Sequence, residues 1–151
     1  MGEEIWSQTQ GAVTAFVHAV GTAASLRGTA TVLKRHKPGV EILAVEPAES
    51  SVLRGGQPGP HKIEGIGIGY IPPLWDPSLV NDILPVSTEE AKAMARRLAR
   101  EEALFAGTSS GANVIAAIQV AQRLGPGATV VTLLADSGLK YLSTDVYERT
   151  A

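Results

Sequence analysis

The sequence contains no cysteine, which excludes disulfides and cysteine-ligated metals and fits a reducing compartment. Aromatic residues amount to only 5%, and Trp6, Trp75 and Tyr70 read as packing residues rather than stacking platforms. There is no long basic run. With a net charge of −2 and a pI of about 5.9, nucleic-acid or anionic-membrane binding has no electrostatic support. No apolar run approaches spanning length, and the acidic, polar opening MGEEIWSQTQG lacks the basic and apolar regions of a signal peptide. The expectation is a cytoplasmic protein with neither nucleic acid nor membrane as partner. The three histidines, His18, His36 and His61, are far apart in sequence. No metal-ligand spacing and no Ser-His-Asp arrangement appears. His18, inside an apolar run, reads as a core or near-core residue.

What is present is a globular composition, 44% hydrophobic and 19% charged over 151 residues, enough for one domain with a sizeable core. Four apolar runs read as strands: 15–20 (AFVHAV), 40–45 (VEILAV), 83–86 (ILPV) and 129–134 (TVVTLL). The second and fourth are almost continuously apolar, as for strands covered on both faces, and Pro85 makes the third an edge or short strand. Helices are expected over 24–36, 88–103 and 110–124. The second opens on a Ser87/Glu90 capping box and carries Ala91, Met94, Ala95, Leu98 and Ala99 at helical spacing. The third is apolar nearly all round, which predicts burial, and Gly125 should end it. The fold class is therefore α/β: a three-layer arrangement with a mainly parallel twisted sheet and helices on both faces.

Residues 47–77 break the alternation with six glycines and six prolines, forming a long loop of the kind that is commonly functional. Three small-residue turns lie where open α/β sheets collect ligands, beyond strand ends and at helix starts. Gly21-Thr22-Ala23-Ala24-Ser25 has hydroxyls and backbone donors suited to a phosphate dianion, or is a plain turn capped by Thr22 or Ser25. Gly107-Thr108-Ser109-Ser110-Gly111 offers a capping serine, with a second hydroxyl free for a ligand. Ala135-Asp136-Ser137-Gly138 follows the last strand, with Asp136 as turn former.

Three longer stretches are more specific: VEPAESSVLRGGQPGPHKIEGIGIGYIPP, EEAKAMARRLAREEALFAGTSSGANVIAA and DSGLKYLSTD. In these the chain closely resembles the cysteine synthase (O-acetylserine sulfhydrylase) family, with cystathionine β-synthase as nearest competitor. The resemblance runs from Glu4 to about Tyr147 but covers only the C-terminal half of such an enzyme. It implies the C-terminal domain of the tryptophan-synthase β-like fold as a single domain over 1–151, and pyridoxal phosphate as cofactor. The Schiff-base lysine of the family, in an S-x-K-D-R-type motif, and its substrate-carboxylate loop belong to the half with no counterpart here. Lys34, Lys37, Lys62, Lys92 and Lys140 match no such motif, so no catalytic residue is assigned.

By the same resemblance, Gly21, Thr22, Ala23, Ala24 and Ser25 match the G-T-G-G-T phosphate loop. Ser109 matches the serine that meets the pyridine nitrogen, a neutral partner suited to β-elimination. Gly65, Gly67 and Gly69 match the loop at the mouth of the substrate pocket. Two departures stand out. Ala23 and Ala24 replace the central glycines and Ser25 replaces threonine; a Cβ there disfavours φ > 0 and crowds a phosphate, unless both residues have helical angles. Residues 138–141 read G-L-K-Y where the family usually has G-E-R-Y. The implied function is pyridoxal-phosphate-dependent β-replacement, O-acetylserine and sulfide giving cysteine and acetate, carried out by this chain as a truncated or split part that is inactive alone. The alternative is a non-catalytic binding or self-associating module. Implied partners are a second copy in a homodimer, a separate chain supplying the N-terminal half, and a serine acetyltransferase tail, much of whose binding surface lies in that other half.

Overall fold

The computed structural model describes residues 1–148. Four strands, β1 (Val13–Ala19), β2 (Glu41–Pro47), β3 (Asp82–Val86) and β4 (Thr129–Thr132), form one parallel sheet in the order β3-β2-β1-β4. Because side chains alternate along a strand, each face of the sheet has its own core. Ala15, Val17 and Ala19 of β1 and Leu43 and Val45 of β2 pack with Ala91 of helix α3 (Thr88–Glu101) and Ala112, Ala116 and Val120 of helix α4 (Thr108–Leu124). On the other face Phe16, Ile42 and Ala44 pack with Leu26, Ala30 and Leu33 of helix α2 (Ala24–His36) and Ile5 of helix α1 (Gly2–Gln8). Each fully buried Leu, Ile or Phe is worth about 1.5–3 kcal/mol. The three-layer α/β architecture is the one the sequence pattern implies.

Particular elements depart from the pattern. Helix α1 was not expected, because its seven residues bury only Gly2 and Ile5 and present a polar exterior. β2 is buried along nearly its whole length, but β4 is half-buried throughout; it lies at one end of the strand order and lacks a neighbour on its outer side among the described residues. Pro85 does lie in an edge strand, β3. Helix α4 is buried from Thr108 to Asn113, whereas its second half exposes Ile118. Helix α3 ends at Glu101, two residues short of expectation, and opens on the reciprocal Ser87–Glu90 capping box. Gly125 closes α4 with φ +79°, its N–H donating to the Ala121 carbonyl. Tyr70 is 60% exposed and is not a packing residue, whereas Trp6 and Trp75 pack against the α2 core. Among the described residues no helix is long and apolar enough to cross a membrane.

Candidate functional site

The sheet positions the site. From β1 the chain leaves through α2 on one face to reach β2, while β4, on the other side of β1, is entered from α4 on the opposite face. The carboxyl ends of two such neighbours leave a crevice. An open cleft of about 340 Å³ lies there, lined by residues that follow β1 (Gly21, Thr22, Ser25), by Glu64, Gly65 and Ile66 of the long loop, by Ser109 and Asn113 of α4, and by Ala135, Asp136 and Lys140 beyond β4.

The turn after β1 is pinned on both sides. Val20 donates to the Val45 carbonyl at 3.0 Å and accepts from the Gly67 N–H at 3.1 Å. Ala23 then takes a left-handed backbone, φ +66°, and serves as N-cap of α2 without any side-chain cap. Neither Thr22 nor Ser25 is the cap; Thr22 Oγ1 receives only a long bond, 3.4 Å, from the Ala24 N–H. The first helical bond of α2 runs from Arg27 N–H to the Ala23 carbonyl, so the N–H groups ahead of it lack helical acceptors.

The two alanines do not crowd this turn. Ala23 is 3% exposed, and its methyl joins the core with Leu26 and Ala30; it is absent from the cleft lining, as is Ala24. The expected conflict between a Cβ and φ > 0 is present at Ala23, but on the side away from the cleft. Ala24, inside α2, is exposed. Gly21, Thr22 and Ser25 therefore face the cleft with hydroxyls, backbone donors and the positive end of a 13-residue helix. The arrangement fits a phosphate dianion.

At the start of α4 the N-cap is Gly107, with no side-chain cap, so neither serine plays the capping role. The hydroxyls flanking Ser109 are engaged elsewhere: Thr108 donates to Glu64 Oε2 at 2.9 Å, and Ser110 Oγ accepts from the Ala135 N–H at 3.0 Å. Ser109, 5% exposed, lines the cleft. Asp136 is more than a turn former: it accepts from Tyr141 Oη at 2.8 Å and lies 3.6 Å from Lys140 Nζ. Burial, reinforced by Asp136, holds the Tyr141 phenol protonated far above its ordinary range.

The three mouth-loop glycines all have positive φ, but they do not share one surface. Gly65 lines the cleft, whereas Gly67 and Gly69 border a separate small void beside Glu46 and Ser50. Glu46, an acid directly after the apolar run 40–45, has no signal in the sequence pattern. It is 1% exposed; Oε2 accepts from the Leu53 N–H at 2.8 Å, while Oε1 and the Ser50 hydroxyl have no partner among the described residues. Burial pushes the Glu46 carboxyl up.

Sequence reasoning also missed Asn113 and understated His18. His18 is near-core as expected, at 6% exposed, but it lines the cleft with Nε2 2.7 Å from Ser25 Oγ. Burial lowers its pKa to about 4. Its signal in sequence was a lone histidine in an apolar strand. Asn113, seated in α4, gave none. His36 instead stacks on Trp6 and pairs with Glu3, and His61 bonds the Gly67 carbonyl. Among the described residues no metal-ligating cluster occurs.

A family model described as pyridoxal-phosphate dependent enzyme matches residues 1–136. A cysteine synthase of Staphylococcus aureus is 47% identical over 147 residues, covering 97% of this chain and 47% of that protein. The crystal structure of O-acetyl serine sulfhydrylase isoform 3 from Entamoeba histolytica matches with a TM-score of 0.93 at 42% identity, over 97% of this chain and 44% of that one. An O-acetylserine dependent cystathionine beta-synthase from Helicobacter pylori matches with a TM-score of 0.91 at 40% identity, over 97% and 48% respectively. The chain thus spans somewhat less than half the length of these relatives and shares the tryptophan-synthase β-like fold expected from its motifs. With most of its length matched by that family model, the chain belongs to the family of pyridoxal-phosphate dependent enzymes.

Proposed function

We propose that this chain is the cofactor-holding, C-terminal part of a cysteine synthase-type enzyme. One observation carries the reading: Gly21, Thr22, Ser25, Ser109 and Gly65, distant in sequence, meet in one cleft. The turn over residues 21–25 would grip the phosphate of pyridoxal phosphate through backbone donors, two hydroxyls and the α2 dipole. Ser109 would meet the ring nitrogen with a neutral hydroxyl, and Gly65 would leave room for the amino-acid substrate. When bound, the cofactor supplies the electron-accepting ring used in exchanging the acetate of O-acetylserine for sulfide.

In this reading the chain does not anchor the cofactor covalently. Among the described residues the cleft lining holds one lysine, Lys140, whose side chain is 71% exposed and loosely paired with Asp136. The anchoring lysine and the substrate-carboxylate loop are assigned to a segment outside this chain, either the rest of a longer protein or a separate subunit. The absence of cysteine favours a cytoplasmic setting. Adding pyridoxal phosphate to the purified chain, with and without borohydride, tests the reading. The expected result is saturable binding, no lysine adduct and no cysteine formed from O-acetylserine and sulfide. A reduced adduct on one specific lysine together with cysteine formation would overturn the assignment of the lysine elsewhere. Failure to bind would overturn the phosphate cradle.

A second reading, a self-associating module, is favoured by the exposed apolar side chains Ile68, Tyr70, Ile71, Leu139 and Leu142, all at least 39% exposed. Burying the apolar side chains of these two segments, 68–71 and 139–142, against a second copy would remove them from water. A homodimer is the expected state; a monomer in sedimentation at high concentration contradicts it.

A further inference from the structure

His18 has no part in the function just proposed, yet it touches the phosphate turn. Its Nε2 lies 2.7 Å from Ser25 Oγ, and its Nδ1 lies 3.5 Å from Asn113 Nδ2. Which ring nitrogen carries the proton decides which way the Ser25 hydroxyl points. If Nε2–H donates, Oγ accepts, and the serine proton stays free. If Nε2 is the bare nitrogen, the serine spends its only proton on the ring and turns a lone pair outward.

Asn113 decides the matter. It is fully buried; its Oδ1 accepts from the Ala19 N–H at 2.7 Å, and its Nδ2 donates to the Leu133 carbonyl at 2.8 Å. Flipping the amide would set donor against donor and carbonyl against carbonyl, so two backbone groups fix its orientation. The side of Asn113 that faces His18 Nδ1 is therefore the N–H side. At 3.5 Å the contact is too long to add much energy. Its effect is selective: a proton on Nδ1 would face another donor, so Nδ1 keeps its lone pair and Nε2 carries the hydrogen. Burial keeps the ring neutral at ordinary pH, with a pKa near 4.

We propose that His18, held by Asn113 in the Nε2–H form, is a positioning residue that frees the Ser25 hydroxyl proton for a bound phosphate. An anion accepts hydrogen bonds and offers none, so a lone pair presented by Ser25 would repel it. The backbone chain of command runs from β1 and the segment after β4, through Asn113 and His18, to the first turn of α2. The proposal rests on the phosphate reading above and names the residue that adapts a serine to that task.

The test has two parts. Long-range proton–nitrogen NMR on the uniformly labelled chain without ligand reads the His18 tautomer directly. The Nε2–H pattern is expected, and an Nδ1–H pattern overturns the proposal. The second part measures pyridoxal phosphate affinity by equilibrium dialysis for the unaltered chain and for His18→Phe, His18→Gln, Ser25→Ala and the His18→Phe/Ser25→Ala double variant, each checked for folding by circular dichroism. His18→Phe and Ser25→Ala should each weaken binding about tenfold, as expected for one bond to a charged group, and the double variant should lose no more than either. His18→Gln, which can still donate to Ser25, should restore most of the affinity. Fully additive losses, or a His18→Phe variant that folds and binds normally, overturn the proposal. No binding by the unaltered chain removes the phosphate reading and this proposal together; binding combined with the Nδ1–H tautomer removes this proposal alone.

Discussion

A Cβ placed on Gly21 would overlap the carbonyl oxygen of Gly65. The turn after β1 and the loop at the cleft mouth therefore meet backbone to backbone, and neither can shift without the other. Gly21→Ala should force them apart, costing about 1–3 kcal/mol of stability as in other overpacked sites, and should reduce pyridoxal phosphate binding at the same time. Urea denaturation with a parallel binding isotherm checks both. A variant with unchanged stability would mean the loop yields easily.

Ala23 is the residue at which sequence and structure part most instructively. Its left-handed φ of +66° favours glycine, yet its methyl is buried in the α2 core. Ala23→Gly relieves about 1–2 kcal/mol of backbone strain but loses about 0.8 kcal/mol of buried methyl and gains unfolded-state entropy. The terms nearly cancel, so stability should change by less than about 1 kcal/mol. Pyridoxal phosphate affinity should hold within about threefold, because the methyl stands outside the cleft. A large gain in affinity on Ala23→Gly would show that the methyl does obstruct the phosphate.

Asn113 ties β1 to the segment beyond β4 through one buried donor and one buried acceptor. Asn113→Leu keeps the forked shape of the side chain but strands the Ala19 N–H and the Leu133 carbonyl. Each unsatisfied group costs about 1–3 kcal/mol. Chemical denaturation should show a loss of roughly 2–5 kcal/mol, and a loss below about 1 kcal/mol would contradict the assigned bonds.

Stability should also depend on pH through His18. Folded, it takes a proton only near pH 4, against an ordinary value of 6.5. Between these values the unfolded chain binds more protons, so this contribution is full above pH 6.5 and is lost as pH falls towards 4. It amounts to at most about 3 kcal/mol. Glu46 acts in the opposite sense, since burial raises its pKa and favours the folded state at acid pH. Both Glu46 and the cleft's Glu64, Asp136 and Lys140 remain in His18→Phe, so comparing that variant with the unaltered chain at pH 7.5 and 4.5 isolates the histidine. The variant should lose less stability on acidification, and an equal loss would contradict the buried neutral ring.

Much of the fold was legible because its signals are local. The apolar run of β2, the capping box at Ser87 and Glu90, and Gly125 after α4 each act within a few residues. The half-buried state of β4 was not legible, because burial depends on which strands lie beside it, and that is set by topology. The phosphate turn could be placed from its small residues, but the direction of the Ala23 methyl depends on a backbone angle that its residue type disfavours. The His18–Asn113 contact spans 95 residues and leaves no periodicity to detect.

Residues 21–25 and Ser109 are proposed as a cofactor cradle that depends on the phosphate. Its most direct test is equilibrium dialysis of the chain against pyridoxal phosphate and, separately, against pyridoxal. Saturable binding of pyridoxal phosphate, with pyridoxal bound at least about tenfold more weakly and Ser25→Ala narrowing that gap, is the result predicted. Equal affinity for the two compounds, or no saturable binding of either, would contradict it.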